Sequence, residues 1–503
     1  MENALSDRRC ALPERLTDIY IITMLLIFPL FPGFSGYRSI TVSKYVFFLA
    51  ATGVWCIGLL TAAISQHQTF PKPAAPAVAA LVYLGVCVLS WLCSPDRAAS
   101  FLGAGRYDGL LTTACCVVIF LFVSAWARPK LLYARAFGLF TTLCAVIALL
   151  QLAGLNPLRL FPGETGYFDS GRAYTGAFLG TLGNTNLYDA ALCLALPLFF
   201  ALYVCGQGRE FLVPLLLSLP VVCKAGGNGC YLALLLCALA ALPLLMTELS
   251  RVRRAVRCVG YGLLVSAAAG FWQPGRDCGL RFVFSPSAVW LFAAGAAVAV
   301  LSFFRLPDQF CPRSGHLRRW FALLAGLLAL LALVWVFLST ADSGTVYELH
   351  QLLTGHPEDS FGSSRIRIWR DCLALIPEHP LLGGGPGTLA LRLDIVFSRL
   401  VPETGQVLET FVDNAHNVYL STLTDTGILG LAALLSALTL AAVSAMKRTV
   451  CPLISGFALG AMCCAIHEFF GLGLCIVSPM FWIFLGLLCS PFPHSFSETE
   501  VDS

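Results

Sequence analysis

Long apolar runs separated by short polar segments recur along the whole chain. The runs are continuous rather than alternating, which predicts helices and not strands. Spanning the roughly 30 Å of membrane hydrocarbon takes about 20 residues of helix. We count about fourteen such runs, centred near residues 25, 52, 85, 117, 144, 195, 217, 238, 264, 294, 329, 430, 461 and 481. The pattern predicts an all-α, polytopic integral membrane bundle of about 12 to 14 transmembrane helices.

The composition supports a membrane protein and argues against a soluble one. Of 503 residues, 58% are hydrophobic and 12% are charged, and the mean hydropathy is +0.79. Soluble domains cannot bury that much apolar surface in cores of ordinary size. Most of the 21 cysteines lie inside apolar runs and are interpreted as small hydrophobic residues. No Cys-x-x-Cys pair or Cys/His cluster with metal-ligand spacing occurs, so we expect no structural zinc site and no redox motif. No cofactor is predicted.

The placement of basic residues predicts the orientation. With a cytoplasmic N-terminus, all the basic clusters fall in cytoplasmic segments, as the positive-inside rule requires: Arg8/Arg9/Arg15, Arg128/Lys130/Arg135, Arg251/Arg253/Arg254/Arg257, Arg313/Arg318/Arg319 and Lys447/Arg448. Both termini are then cytoplasmic. The chain then divides into four parts. Residues 1–340 form a bundle of about eleven spans and residues 341–415 form an external loop. Residues 416–490 form further transmembrane helices, and residues 491–503 form a polar cytoplasmic tail.

Three external segments differ from the short basic cytoplasmic loops: residues 94–109, 156–186 and 341–415. In the third, apolar residues at helical spacing predict a helix over 364–376 that Ser363 or Ser364 could cap. Residues 383–387, Gly-Gly-Gly-Pro-Gly, follow and free backbone N–H groups for a close approach. They lack the tail of a phosphate-binding loop, so a flexible turn is the alternative.

Arginines are concentrated in this loop around Trp369. Arg365, Arg367 and Arg370 spread over more than one face of a helix, so one or two of them could face inward. The guanidinium group offers a planar fork of donors that holds phosphate oxygens and keeps its charge. The alternative is a basic helix that faces solvent or lipid headgroups.

His416 lies just before the apolar run that follows the loop. Its imidazole, with an ordinary pKa near 6.5, could take a proton from an attacking hydroxyl. Asp413 or Glu409 could orient the ring. The alternative is that His416 caps the helix that begins near Val418. His467 and Glu468, inside the penultimate span, form a second ionisable pair that we interpret as structural.

Four ordered motifs carry a family resemblance: Gly-Ser-Ser-Arg-Ile-Arg-Ile-Trp at 362–369, Pro-Leu-Leu-Gly-Gly-Gly-Pro-Gly at 380–387, Asp-Asn-Ala-His-Asn-Val-Tyr-Leu at 413–420 and Thr-Gly-Ile-Leu-Gly-Leu at 426–431. Together they resemble the signature region of the O-antigen ligase and polymerase family of bacterial envelope proteins. Residues 91–112, including Arg106, and Gly-Asn-Thr-Asn at 183–186 are also similar to members of this family.

The resemblance implies a membrane glycosyltransferase of GT-C-like architecture that needs no metal. It would move a glycan from a polyprenyl (undecaprenyl) diphosphate carrier to an acceptor hydroxyl on a glycan, lipid or wall component, at the outer face of the cytoplasmic membrane. Direct attack would invert the anomeric centre. The partners expected are therefore the lipid-linked donor, the acceptor and membrane lipids, and no nucleic acid.

Residue by residue, the resemblance implies that His416 is the catalytic residue and that Arg365 binds the donor diphosphate. Arg367 and Arg370 are further candidates for binding the diphosphate. Many relatives carry an arginine in a turn between the middle spans, where this chain has Lys224. Either Lys224 takes that role as a second ligand of the donor diphosphate, or the role is absent. The supporting residues implied are Asp413, Asn417, Trp369, Arg106 and Gly385.

Several functions remain open at this point. Within the family, ligases, repeat-unit polymerases and protein glycosylation enzymes share the signature. A transporter or flippase of lipid-linked oligosaccharides is a further alternative, although no internal repeat of the kind found in transporters is evident. The last alternative is a non-catalytic envelope assembly protein. Such a protein would have no reason to keep His416 beside the arginines of the loop.

Overall fold

The computed structural model describes residues 2–66, 72–153, 155–160, 168–169, 172–173, 180–274, 280–303, 314–400, 407–448 and 451–491. Much of the predicted external segment 156–186 and the whole tail after 491 lie outside them, as do Arg313 and the side chains of Arg8 and Arg9. The described residues are mostly helical, which confirms the predicted all-α membrane fold.

The first part of the chain forms a series of helices interrupted by a π-helical segment, Thr23–Ile27, and a 3-10 helix, Gly36–Ser39. The helices are α1 (Glu2–Ile22), α2 (Phe28–Leu30), α3 (Ile40–Ser65), α4 (Ala75–Cys93), α5 (Arg97–Leu102), α6 (Leu110–Trp126), α7 (Leu131–Leu152), α8 (Thr185–Val204), α9 (Leu212–Ala225), α10 (Asn228–Leu245), α11 (Leu249–Gly270) and α12 (Pro286–Leu301).

The second part begins with the peripheral helix α13, contains the loop helices α14 to α16 and ends with three apolar helices. These are α13 (Ser314–Phe337), α14 (Gly344–Leu353), α15 (Phe361–Ala374), α16 (Leu389–Arg392), α17 (Val418–Met446), α18 (Pro452–His467) and α19 (Ser478–Cys489), with a 3-10 turn at Ile376–Glu378. Three antiparallel pairs of strands were not predicted: β1 (Phe168–Asp169) with β2 (Arg172–Ala173), β3 (Trp272–Pro274) with β4 (Leu280–Phe282), and β5 (Val396–Leu400) with β6 (Val407–Phe411).

Each of the predicted span centres falls in a helical segment of the described chain. Among the described residues, seven helices are long and apolar enough to cross a membrane, and five more apolar helices are shorter. The remaining two centres lie in the π-helical segment Thr23–Ile27, directly after α1, and in α11, a helix whose first turns carry the basic cluster 251–257. The chain is therefore a multi-pass membrane protein, and the count of fourteen spans stays a prediction.

Helix α8 forms the centre of the bundle. Within its most apolar window, 94% of the residues are buried, against 6% for α13, which lies at the periphery with its leucines exposed. α8 packs chiefly against α18, α4 against α17 and α6 against α19. Asn184 caps α8 by accepting the backbone N–H of Asn186 at 2.8 Å.

The loop between α13 and α17 is held against α17 where that helix is broken. Gly427 has a φ of +67°, which interrupts the helical hydrogen bonds around it. The N–H of Ile428 donates to the carbonyl of Pro380 at 2.9 Å, and the carbonyls of Thr424 and Asp425 accept from the loop at 3.1 and 2.9 Å. Because a membrane offers backbone groups no water, the loop supplies the hydrogen bonds that the broken helix lacks.

Candidate active site

The turn before α17 places His416 in a left-handed conformation, with a φ of +51°. The side chain of Asn414 accepts the backbone N–H of His416 at 2.9 Å, an Asx turn, and Asn417 then caps α17 by accepting the N–H of Leu420 at 3.0 Å. The alternative that His416 itself caps the helix is wrong, because Asn417 holds that role.

The imidazole of His416 lies among charged groups without a hydrogen bond to Nδ1. That atom is buried and has no partner among the described residues. Burial, followed by the positive charges of Arg365 and then Arg106, lowers the pKa of the ring from 6.5 to about 4, while Asp413 acts in the opposite direction. The ring is therefore neutral at neutral pH, which is the form that accepts a proton.

Asp413, one of the two carboxylates that could orient the ring, pairs with Arg106. Its Oδ2 accepts a hydrogen bond from Nε of Arg106 at 2.7 Å, and both side chains are about one-third exposed. Glu409, the other carboxylate considered, lies in strand β6. The pair ties the segment after α5 to the His416 turn and brings the charge of Arg106 near the imidazole.

Arg365 follows a sharp kink at the start of α15. Gly362, Ser363 and Ser364 all have left-handed backbones, with φ of +60°, +60° and +66°. An N-cap residue is normally extended, so the prediction that Ser363 or Ser364 caps this helix is wrong. Two serines in this region are strained, and such strain is often found at functional sites.

The guanidinium of Arg365 is held by backbone carbonyl groups. Nη1 donates to Gly362 at 3.0 Å and Nη2 donates to Phe470 at 3.3 Å. Nε is buried and has no partner within the described part of the chain. Held by neutral carbonyls and not by a carboxylate, the guanidinium retains donor capacity for an anion.

Trp369 joins the two predicted motifs. Its Nε1 donates to the carbonyl of Ala415 at 2.9 Å, one residue before His416. The indole ring also meets Phe469 edge-on at 5.6 Å between centroids and lies 6.3 Å from Phe470. The structure therefore brings Arg365, Trp369 and His416 together, as the motifs predicted.

Arg367 and Arg370 have different surroundings. The guanidinium of Arg367 lies over the ring of Phe397 in β5, 5.6 Å from its centroid. Arg370 forms an ion pair with Asp359 at 2.7 Å and is 60% exposed. As their spacing predicted, the three arginines lie on different faces of α15. The guanidinium groups that act on the His416 ring are those of Arg365 and Arg106.

Lys224 occupies the exposed last turn of α9, in the turn that leads to α10. Gly227, the N-cap of α10, donates its N–H to the buried carboxylate of Asp189 in α8 at 2.8 Å. A methyl group added at Gly229 would lie 2.8 Å from Cβ of Phe470. The turn that follows Lys224 therefore packs beside Phe470, and the carbonyl of Phe470 accepts a hydrogen bond from Arg365.

The glycine-rich segment around Gly385 is buried against α17. The N–H of Gly385 donates to the carbonyl of Asp425 at 2.9 Å. Gly385 has a φ of +116°, and a Cβ at this position would lie 2.4 Å from Oγ of Ser94. The close approach predicted for this segment is therefore to α17 and α4, and the alternative of a flexible turn is wrong.

Sequence reasoning missed an ion pair that fastens the loop to α17. Nη2 of Arg392 lies 2.8 Å from Oδ1 of Asp425, with the side chains 17% and 11% exposed. The other carboxylate oxygen of Asp425 accepts the N–H of Gly387 at 2.9 Å. Asp425 could have been identified from the sequence, because it is an acidic residue inside an apolar run. No comparable sequence signal marks Arg392.

His467 and Glu468 lie at the end of α18 rather than within the span. The carbonyl of Glu468 accepts the N–H of Val418 at 2.9 Å, which places this pair beside the start of α17. Among the described residues, no group of three or more His, Cys, Asp or Glu side chains could hold a metal ion.

Comparison with known proteins identifies the region that contains this site. A family model described as O-antigen ligase matches residues 278–435, a stretch that includes Arg365, Trp369, Gly385 and His416. No curated protein matches the chain. The match confirms the resemblance that the motifs indicated: residues 278–435 of the chain are similar to the O-antigen ligase family.

Proposed function

We propose that this protein transfers a glycan from a polyprenyl diphosphate carrier to an acceptor hydroxyl at the outer face of the cytoplasmic membrane. The observation that carries the proposal is the juxtaposition of a neutral histidine and a buried arginine. His416 has a lowered pKa and a free ring nitrogen, and Arg365, one of the charges that lower the pKa, has an unpaired Nε in the described residues.

In the proposed reaction, the acceptor oxygen attacks the anomeric carbon of the donor sugar. The bond between that carbon and the phosphate oxygen breaks, and the pair of electrons leaves with the polyprenyl diphosphate. Arg365 stabilises the charge that develops on this leaving group. His416 takes the proton of the acceptor hydroxyl and later releases it to water. A single displacement of this kind inverts the anomeric centre and needs no metal.

The donor already carries a good leaving group, so the site needs little beyond a base and positive charge. Lys224 is assigned as the second cation for the diphosphate, on the turn that packs beside Phe470. Arg106 keeps the imidazole in its neutral, proton-accepting form, because its charge disfavours the imidazolium, whereas Asp413 acts in the opposite direction and favours the imidazolium. In this proposal, Arg367 and Arg370 do not bind the donor and instead stabilise the loop through their contacts with Phe397 and Asp359.

The experiment is a transfer assay with the purified, full-length protein and a lipid-linked glycan isolated from cells that lack it. His416→Ala and Arg365→Ala should fold and should each reduce release of polyprenyl diphosphate by at least about 100-fold. Arg370→Ala, which removes an exposed arginine from the same helix, is the matched control. Wild-type rates in both test variants would refute the proposal.

A further inference from the structure

Asp189 is an acidic residue in the interior of the bundle. It lies in the second turn of α8, a helix whose most apolar window is 94% buried, and Asp189 itself is only 3% exposed. Ionisable groups inside membrane-spanning helices are costly and usually serve a function. The proposed reaction does not use this carboxylate, so its role depends on the contacts that it makes.

The carboxylate of Asp189 anchors the turn between α9 and α10. Its Oδ2 accepts the N–H of Gly227 at 2.8 Å, and Gly227 is the N-cap of α10. The turn, Lys-Ala-Gly-Gly-Asn-Gly at 224–229, has three glycines in six residues. Because glycine allows many backbone conformations, a turn of this composition needs a contact that selects one of them. The buried carboxylate supplies such a contact.

The anchored turn lies beside the candidate active site. Gly229 approaches Phe470 so closely that a Cβ added to the glycine would lie 2.8 Å from Cβ of Phe470. The carbonyl of Phe470 accepts a hydrogen bond from Nη2 of Arg365 at 3.3 Å. Lys224, which is exposed in the last turn of α9, begins the same turn. A displacement of the turn would therefore move Lys224 relative to Arg365.

Asp189 influences the site from outside it. Because the residue is almost fully buried in α8, its carboxylate does not reach a substrate. We propose that Asp189 is a positioning residue, which holds the turn 224–229 so that Lys224 meets the diphosphate bound by Arg365. The inference rests on the proposed function, in which these two cations hold the donor.

The test uses substitutions that separate the hydrogen bond from the rest of the side chain. Asp189→Ala removes the acceptor, and Asp189→Leu does the same with a side chain of similar shape if the alanine variant unfolds. Asp189→Asn keeps an oxygen that can accept the N–H of Gly227. Thr52→Val is the matched control, because it removes another buried bond of 2.8 Å between helices, to Tyr20, from a residue that is also 3% exposed.

Two measurements are made on each purified full-length variant, together with a thermal unfolding curve. The first is amide hydrogen exchange over residues 224–230, which reports on the turn itself. The second is the Kd for undecaprenyl diphosphate, compared with undecaprenol, which has the same chain without the diphosphate. Polyprenyl diphosphate release from a lipid-linked glycan is followed in the wild type as a separate test of the proposed function.

Asp189→Ala should speed exchange in the turn and raise the Kd for undecaprenyl diphosphate by about tenfold, the loss expected for one hydrogen bond. The Kd for undecaprenol should not change, Asp189→Asn should bind nearly as the wild type does, and Thr52→Val should match the wild type. In a Lys224→Ala background, Asp189→Ala should have little further effect, because both changes act through one cation.

The inference is overturned if Asp189→Ala leaves exchange in the turn or the Kd unchanged, if Asp189→Asn is as defective as Asp189→Ala, or if the full rise in Kd persists without Lys224. Failure of the proposed function would look different. A wild-type protein that binds undecaprenyl diphosphate but releases none from the lipid-linked glycan would refute glycan transfer, while the measurements on Asp189 would still decide whether it positions Lys224.

Discussion

The indole nitrogen of Trp369 donates a hydrogen bond of 2.9 Å to the carbonyl oxygen of Ala415, so the helix that carries Arg365 is attached to the residue before His416. The proposed anion-binding group and the proposed base come from segments about fifty residues apart in sequence, and this bond couples their positions. Small displacements of either group have large effects on rate, because reacting atoms must lie within a narrow range of distances.

Trp369→Phe tests this coupling, because phenylalanine keeps the ring contact with Phe469 and removes the N–H donor. The carbonyl of Ala415 would be left without its partner, at a cost of about 1–3 kcal/mol. We expect kcat for glycan transfer to fall by roughly tenfold or more with the protein still folded. Trp290→Phe, on a residue that is 76% exposed in α12, is the matched control. A Trp369→Phe enzyme with wild-type kcat would show that the bond only stabilises the loop.

Arg365→Lys tests whether the fork of donors matters as well as the charge. Lysine retains a cation but cannot donate to two carbonyls and a phosphate in one plane. We expect a loss of about 30-fold to 1000-fold in kcat/KM, or about 2–4 kcal/mol of transition-state stabilisation. The same substitution at Arg370, which is exposed and paired with Asp359, should change kcat/KM by less than about threefold. Equal effects at the two positions would contradict the assignment.

The sequence was sufficient for the helices, but not for the contacts that the candidate site residues make. Apolar runs identify spans because the membrane requires helices with satisfied backbone groups. The partners of Asp413 and Asp425 are Arg106 and Arg392, 307 and 33 residues away, and no periodicity encodes such pairings. The kink before Arg365 was also missed, because two serines in a left-handed conformation contradict their local preferences and depend on the surrounding fold.

The pH dependence of kcat/KM should report the unusual environment of His416. Its pKa of about 4 keeps the ring neutral well below the ordinary value of 6.5, so activity should persist at pH 5.5 and fall only as pH drops toward 4. Arg106→Gln removes a positive charge and should move the acid limb upward, whereas Asp413→Asn removes a negative charge and should move it downward. Thermal unfolding measured at each pH separates titration from denaturation. A midpoint near 6.5 in the wild type would contradict the buried, cation-flanked ring.

Arg392→Met should destabilise the protein through the ion pair with Asp425. Both side chains are largely buried, and removing one partner of such a pair costs about 3–5 kcal/mol because the other is left uncompensated. We expect a clear fall in the thermal unfolding temperature, and partial recovery in the double variant Arg392→Met/Asp425→Leu. Arg370→Met breaks an exposed pair with Asp359 and should have little effect on stability. An equal loss in the two single variants would argue against the loop being fastened at Asp425.

His416→Asn separates catalysis from backbone geometry. Asparagine tolerates the left-handed φ of +51° at this position better than most residues, so the turn and the Asn417 cap should persist. It cannot accept a proton as imidazole does, and glycan transfer should fall by about 100-fold or more, with donor binding and unfolding temperature close to wild type. Asn417→Ala supplies the opposite control: it removes the helix cap and should lower stability by about 1 kcal/mol while transfer continues. If His416→Asn transferred glycan at the wild-type rate, the histidine would be a turn residue and the base would have to be sought elsewhere.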